Sequence, residues 1–277
     1  MIVQITLIKN ELFLLKEMMP HWQKYADAFV FMDDNSTDGT YEYLNENKDK
    51  FNILSVLRTG TNDKQLTVES SIRQRLFDEA FKHSGNIVCL DTDEYLDGTM
   101  SKEELEAVLN NNKDTLFHTQ WIQYTGKNQI RVDGPWGYNL KDRIGSYQDK
   151  TQFKSAQMHS EHLPVPSKQA IIPAPSIFIA HLQWLDKKTV AIKQYFWKIT
   201  DYVNKIKFNA KTTPASAYDA SVNNFNWQYA DIAFSLKVDP AVYNKQDMAD
   251  NYKYQFIKEK VKEYNIPNLN DWGMGIH

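Results

Sequence analysis

NIVCLDTDEYLDG, residues 86–98, sets a short apolar run directly before the carboxylates Asp91, Asp93 and Glu94. A run of this kind reads as a buried strand that stops where the acidic residues begin. If the strand continues through Asp91 and Asp93, their spacing of two turns both carboxylates to one side. Two such groups at the end of a buried strand repel each other unless a cation lies beside them. Mg2+ or Mn2+ answers that repulsion, because each takes few protein oxygens and completes its shell with water and substrate phosphates. The plainer reading of the motif alone is a solvated acidic turn.

Upstream and downstream the pattern repeats. Apolar runs at 2–8, 28–32, 52–57, 86–90 and 115–122 alternate with helical patterns at 11–25, 38–48, 67–83 and 101–111. Strands separated by helices of this length form βαβ units, so the spacing predicts an α/β fold with a mostly parallel sheet flanked by helices. Ser101 followed by Glu104 predicts a capping box at the start of the last of these helices. After residue 123 the pattern breaks into a Gly- and Pro-rich stretch, 124–175, with short strand candidates at 143–147, 152–157 and 176–181. A loop-rich region of that length with this many aromatics predicts a cover over a site. Helical patterns at 187–205 and 246–264 then predict a helical, aromatic-rich extension. The expected organisation is one α/β domain over 1–185, changing character near 123, with 186–277 packed on it.

The composition excludes several classes. With 42% hydrophobic and 24% charged residues the 277-residue chain has enough apolar surface for a core, which sets aside intrinsic disorder. Lys and Arg total 32 against 35 for Asp and Glu, so no basic face for nucleic acid is implied. A single cysteine, Cys89, excludes an intramolecular disulfide and any CxxC metal motif. No basic, apolar leader opens the sequence and no run approaches about 18 apolar residues, so the expectation is a cytoplasmic protein without a membrane span.

In an open parallel sheet, ligands bind beyond the carboxyl ends of the strands. The residues there are Lys9, Asn10 and Glu11 after the first run; Asp33, Asp34, Asn35 and Ser36 after the second; Arg58 and Thr59 after the third; and Asp91 to Glu94 after the fourth. All are polar. In FVFMDDNSTDGTYEYL, residues 29–44, the paired aspartates can accept bonds from a nucleobase N–H or ribose hydroxyls. Turn chemistry, with Ser36 or Thr37 capping the next helix, accounts for part of the same pattern.

Four segments in order, ITLIKNE (5–11), DDNSTDGT (33–40), ESSIRQRLFDEA (69–80) and CLDTDEYL (89–96), resemble glycosyltransferase family 2-like proteins of the GT-A fold over about the first 100 residues. The resemblance implies a nucleotide-diphosphate sugar donor, commonly a UDP-sugar, bound by residues 1–123, with an acceptor half over 124–185. It implies that Asn10, Glu11, Asp33 and Asp34 line the donor pocket with Asp34 facing the base. Arg73 then lies near the nucleotide or the acidic edge, Asp91 near the ribose and the metal's waters, and Asp93 on the metal itself. SIFIAHLQW (176–184) resembles the later strand whose His closes the metal site, which makes His181 the third ligand candidate beside Asp91 and Asp93. DRIGSYQDKTQFKSAQMHSEHL (142–163) is similar to the family's hairpin ending in a His-Glu pair, here with Ser160 between His159 and Glu161. Glu161 is the leading general base, with Asp142 and Asp149 as alternatives.

The implied activity is metal-dependent transfer of a sugar to a hydroxyl of a glycan or other acceptor, by inversion. A metal on Asp93 would quench charge on the departing diphosphate, and a carboxylate would take the acceptor proton. Of the tryptophans beyond residue 120, Trp136 and Trp184 are the candidates for stacking on a sugar or closing over the donor. Alternatives are a nucleotidyltransferase on a similar sheet, separable by its pyrophosphate product, and a noncatalytic carbohydrate-binding protein. A haloacid dehalogenase-like phosphatase fits poorly, since Tyr95 stands two residues after the second aspartate and three βα units precede the motif.

Overall fold

The computed structural model describes residues 1–60, 69–126, 129–137, 139–154, 160–209, 211–223, 228–231 and 251–266. Along the chain the elements are β1 (Val3–Ile8), α1 (Leu12–Trp22), β2 (Ala28–Asp33), α2 (Thr40–Glu46), α3 (Lys48–Phe51), β3 (Ile53–Arg58), α4 (Glu69–Phe81), β4 (Asn86–Cys89), β5 (Glu94–Asp97), α5 (Lys102–Asn111) and β6 (Thr115–Gly126). They continue with β7 (Gln129–Arg131), β8 (Asn139–Ser146), β9 (Lys168–Ile172), β10 (Phe178–His181), α6 (Lys187–Phe208), α7 (Ala215–Asn223), β11 (Tyr229–Asp231) and α8 (Tyr252–Glu263). Two compact units result: Met1–Gln123 with Gly134–Leu182, and Tyr124–Asp133 with Gln183–His277.

In the first unit the runs that form β1, β2 and β4 are buried on both faces, as central parallel strands require. β1 lies between β2 and β4 and runs parallel to both, with Ile5 opposite Val30 and Cys89. β3 adds in parallel to β2. β8 inserts antiparallel between β4 and β6, so β6 keeps the direction of β4 and the order becomes β3-β2-β1-β4-β8-β6. β9 and then β10 pair in parallel along β6, and β5 closes antiparallel on β10. The sheet is therefore mixed, with most of its strands aligned. Ile72, Leu76, Phe77 and Ala80 of α4 share a core with Val3, Ile5, Val30, Ile87 and Cys89. This is the α/β architecture expected from the sequence, a mostly parallel sheet flanked by helices.

Several local details differ from the sequence reading. The helical pattern at 38–48 divides into α2 and α3 because Asn47 leaves helical geometry at φ −107°, and asparagine is a weak helix former. β5 and β9 were not anticipated, since both are short and their partners lie far away in sequence. Thr151 to Lys154 form no strand, and 155–157 lie outside the described residues, as do 67–68 and 246–250. The capping box of α5 is formed: Ser101 Oγ accepts from Glu104 N, and Glu104 Oε2 accepts from Ser101 N.

One glycine fixes how β5 meets β10. Gly98 has φ +147°, and a Cβ there would sit 2.3 Å from the Ser176 carbonyl oxygen. Next to it Thr99 N donates to Pro175 O at 3.0 Å and Met100 N to Ser176 O at 2.9 Å. Gly98→Ala is therefore expected to destabilise the protein by about 1–3 kcal/mol through backbone strain. The urea unfolding midpoint checks it; an unchanged midpoint would show that this approach is not tight.

In the second unit, Asp186 caps α6 by accepting from Thr189 N at 2.7 Å, and Asn251 caps α8 through Lys253 N and Tyr254 N. The two helices pack through Phe196, whose ring centroid lies 5.0 Å from that of Phe256 and 6.1 Å from that of Tyr252. Among the described residues no helix is long and apolar enough to cross a membrane.

Candidate active site

The carboxyl ends of β1, β2 and β4 share one edge of the first unit. At the first two, the loops are tied together. Asn10, at φ +49°, donates its N–H to Ser36 Oγ at 2.9 Å and accepts from Thr37 N through its side chain at 2.6 Å. The helix entry thus uses Ser36 to hold Asn10, while Gly39 stands at the N-cap of α2 and Asp38 before it accepts from Thr40 N at 3.0 Å; neither Ser36 nor Thr37 acts as the cap expected from the sequence. Glu11 stands partly exposed at the entry to α1.

Asp33 and Asp34 are both fully buried. Asp33 accepts from Ser36 N and from Arg58 Nε at 3.2 Å, and the Arg58 guanidinium also lies 4.4 Å from the Tyr41 ring centre. Asp34 accepts from Lys9 Nζ at 3.1 Å and from Thr59 Oγ1 at 2.5 Å. Burying a carboxylate without a partner is costly, so these cations and hydroxyls are what permit an acidic pair here.

At β4 the strand ends at Cys89, and Asp91–Thr92–Asp93 form a turn in which Glu94 N donates to Asp91 O at 3.0 Å. The two aspartates therefore do not project side by side from a continuing strand. Asp91 Oδ2 lies 3.1 Å from Arg143 Nη2 and 3.4 Å from His162 Nε2, whereas Asp93 Oδ2 lies 3.3 Å from His181 Nε2. The correction has a plain cause: a turn sends residues i and i+2 to separate partners, where a strand would align them.

Behind the turn sits Glu94, fully buried. Its Oε1 accepts from Arg143 Nη2 at 2.7 Å and from Trp121 Nε1 at 2.9 Å, and its Oε2 accepts from Asp91 N at 3.0 Å. Register explains the gathering. His181 is opposite Glu94 on one side and Gln123 on the other, and Thr119, two residues before Trp121, is opposite Lys141. Cross-strand partners share a face, so Glu94, His181, Gln123, Trp121 and Lys141 line the same one. The register shift between Phe117 and His118 falls beside Arg143, and an irregularity of this type re-aims a side chain.

His181 is held on two sides. Its ring stacks on Trp121 with centroids 4.5 Å apart, and its Nδ1 is 2.7 Å from Gln123 Oε1. With Nδ1 donating to that oxygen, Nε2 is the nitrogen presented to Asp93, an orientation of the kind that prepares an imidazole for a cation. Asp93 and His181 thus form a carboxylate–imidazole pair whose donor chemistry suits Mn2+ or Mg2+. Among the described residues no group of three His, Cys, Asp or Glu side chains is gathered to hold a metal, so Asp91 does not join Asp93 and His181 in one cluster.

Arg73, buried on α4, is paired with Glu69 at 2.8 Å and turns Nη1 towards Cys89 Sγ at 3.8 Å. Burial pushes the Cys89 thiol up to about 12 against the pull of Arg73 and Arg143, so it stays protonated and is no nucleophile. Burial opposes the Arg143 charge, but Glu94 and Asp91 outweigh it and raise its pKa.

Glu161 lies partly exposed one residue before His162, in a strip pinned by fully buried Leu163 and by Tyr147 Oη donating to Pro164 O at 2.8 Å. His159 lies outside the described residues. Of the alternative bases, Asp142 pairs with His118, off the face that holds Trp121. Asp149 follows Ser146, which is opposite Asn86 at the amino end of β4, the far edge from Asp91. Trp136 is partly exposed with its ring centroid 6.1 Å from that of Trp121. Trp184 belongs to the second unit, where it is 2% exposed under the Arg131 guanidinium, 4.3 Å from its ring centre.

Arg143, Trp121, Lys141 and His162 were not singled out from the sequence. The available signal was the alternation of Lys141 and Arg143 across one strand, hidden because the strand starts at Asn139 rather than at 143.

No family model matches the chain, and no curated protein sequence does. Among solved structures, S. aureus TarS is similar at 13% identity over 81% of this chain, with a TM-score of 0.44; this chain spans 42% of that one. S. aureus TarS 1-349 in complex with UDP is similar at 15% identity over 93% of this chain and 78% of that chain, with a TM-score of 0.44. The nucleoside-diphosphate-sugar pyrophosphorylase from Vibrio cholerae RC9 is similar at 9% identity over 64% of this chain and 94% of that chain, with a TM-score of 0.32.

Proposed function

We propose that this chain is a glycosyltransferase that moves a sugar from a nucleotide-diphosphate sugar, a UDP-sugar in the first instance, to a hydroxyl acceptor. The observation behind this reading is the Asp93–His181 pair at the carboxyl edge of the parallel strands, beside the turn that bears the family-like CLDTDEYL segment. Ligands of open α/β sheets bind at that edge.

The chain's own residues divide the work. Asn10, Glu11, Asp33 and Asp34 shape the pocket for the nucleoside, with Asp34 set by Lys9 and Thr59 before any ligand arrives. Arg73 and Arg143 supply fixed positive potential behind the acidic turn, Arg143 holding Asp91 in place on the ribose side. Asp93 and His181 would hold a divalent cation, which when bound acts as a Lewis acid towards diphosphate oxygens. Glu161 takes the proton of the acceptor hydroxyl as the hydroxyl attacks the anomeric carbon and the bond from that carbon to the diphosphate oxygen breaks, the nucleoside diphosphate leaving with the electron pair; this direct displacement inverts the centre and needs no protein nucleophile. Trp136 completes the sugar-binding assignment.

The test is product analysis with Mn2+ and a panel of UDP-, GDP- and dTDP-sugars. Release of the nucleoside diphosphate with the sugar on an acceptor or on water supports the assignment. Pyrophosphate formation from a nucleoside triphosphate and a sugar phosphate would instead make the chain a nucleotidyltransferase.

A further inference from the structure

Three cations surround the acidic turn, and two of them are already engaged. Arg143 is 2% exposed in its side chain and bridges Asp91 and Glu94. Arg73 is buried and paired with Glu69. Lys141 is different: it is partly exposed, and its Nζ sits 4.6 Å from the centre of the Trp121 ring rather than on a carboxylate. Among the described residues no acidic side chain lies within ion-pair distance of it. The ring beneath it is held by its hydrogen bond to Glu94 and its stack on His181.

We infer that Lys141 is a phosphate-binding residue of the donor site, its ammonium meeting the terminal phosphate of the nucleoside diphosphate. The inference rests on the donor reading above and adds a specificity residue to it. An ammonium on an aromatic platform stays partly desolvated and keeps its three donors free for an incoming anion. Lys141 shares the face of His181, which places it on the side where the diphosphate of that reading would lie. Burial pushes the Lys141 pKa down, Arg143 adds to this, and Glu94, Asp142 and Asp91 oppose it. A dianionic phosphate would offset the neighbouring guanidinium, so ligand and lysine favour each other's charged form.

The test compares UDP with UMP by calorimetry in Mn2+ for the wild type, Lys141→Met and Lys141→Arg. Lys141→Met is expected to weaken UDP binding about tenfold, the loss of one charge-assisted hydrogen bond, with UMP affinity nearly unchanged. Lys141→Arg should recover most of the UDP affinity. Two results would overturn the inference: unchanged UDP affinity in Lys141→Met, or equal loss for UDP and UMP, which is the mark of a loosened Trp121 rather than a lost phosphate contact. If the wild type binds neither nucleotide, the donor reading fails first and this inference with it.

Discussion

Asp93→Ala is expected to reduce sugar transfer by two to three orders of magnitude, the range seen when one fixed electrostatic group is removed from a reacting centre. The fold should survive, because Asp93 Oδ2 faces His181 at the edge of the sheet and the main-chain bond from Leu182 N to Asp93 O does not depend on the side chain. Nucleotide binding that depends on Mn2+ should vanish together with activity. Glu161→Gln should behave oppositely, keeping donor affinity while turnover falls, since an amide cannot take the acceptor proton. Steady-state kinetics beside calorimetry with UDP separates the two variants. If Asp93→Ala retains both turnover and metal-dependent binding, the site has been placed on the wrong residues.

Arg143→Met should have the largest effect on stability. Glu94 is fully buried, and its charge is matched by the Arg143 guanidinium at 2.7 Å. Removing one partner of a buried ion pair leaves an uncompensated charge, at a typical cost of about 3–5 kcal/mol. The same change frees Asp91 from its bond at 3.1 Å, so the acidic turn loses an anchor as well. Chemical denaturation of Arg143→Met, Glu94→Gln and the double variant tests the coupling. The double variant is expected to be more stable than the sum of the single losses predicts, because it leaves neither charge unpaired. Additive losses would mean that Arg143 and Glu94 act independently.

The strands of the first sheet half were legible because each is a short apolar run that needs no distant information: IVQITLI, AFVFM and NIVCL all become buried strands. Ser101 and Glu104 gave the start of α5 for the same reason, since a cap is settled within four residues. Of the candidate site, the positions of the acidic segments were legible and their geometry was not. The segments bearing Asp33, Asp34, Asp91 and Asp93 could be picked out as strand ends, and Asp93 meets His181 across a large gap in sequence. The separation of Asp91 from Asp93 could not be read, because it depends on the strand stopping at Cys89 and on Arg143 drawing Asp91 away. Arg143 and Lys141 carry no local signal, because their placement follows from register with β6 and from a local irregularity in that pairing. Both are properties of two strands together, and neither strand's sequence encodes them alone. His162 at Asp91 is a similar case: the similarity to a His-Glu hairpin drew attention to Glu161, and only the packing of Leu163 sets its neighbour beside the turn.

The most direct test is a crystal structure of the protein with Mn2+ and UDP. The account predicts one metal ion ligated by Asp93 and His181 and by diphosphate oxygens, with the uracil beside Asp34. A nucleotide seated away from this edge, or a metal that touches neither residue, would contradict it.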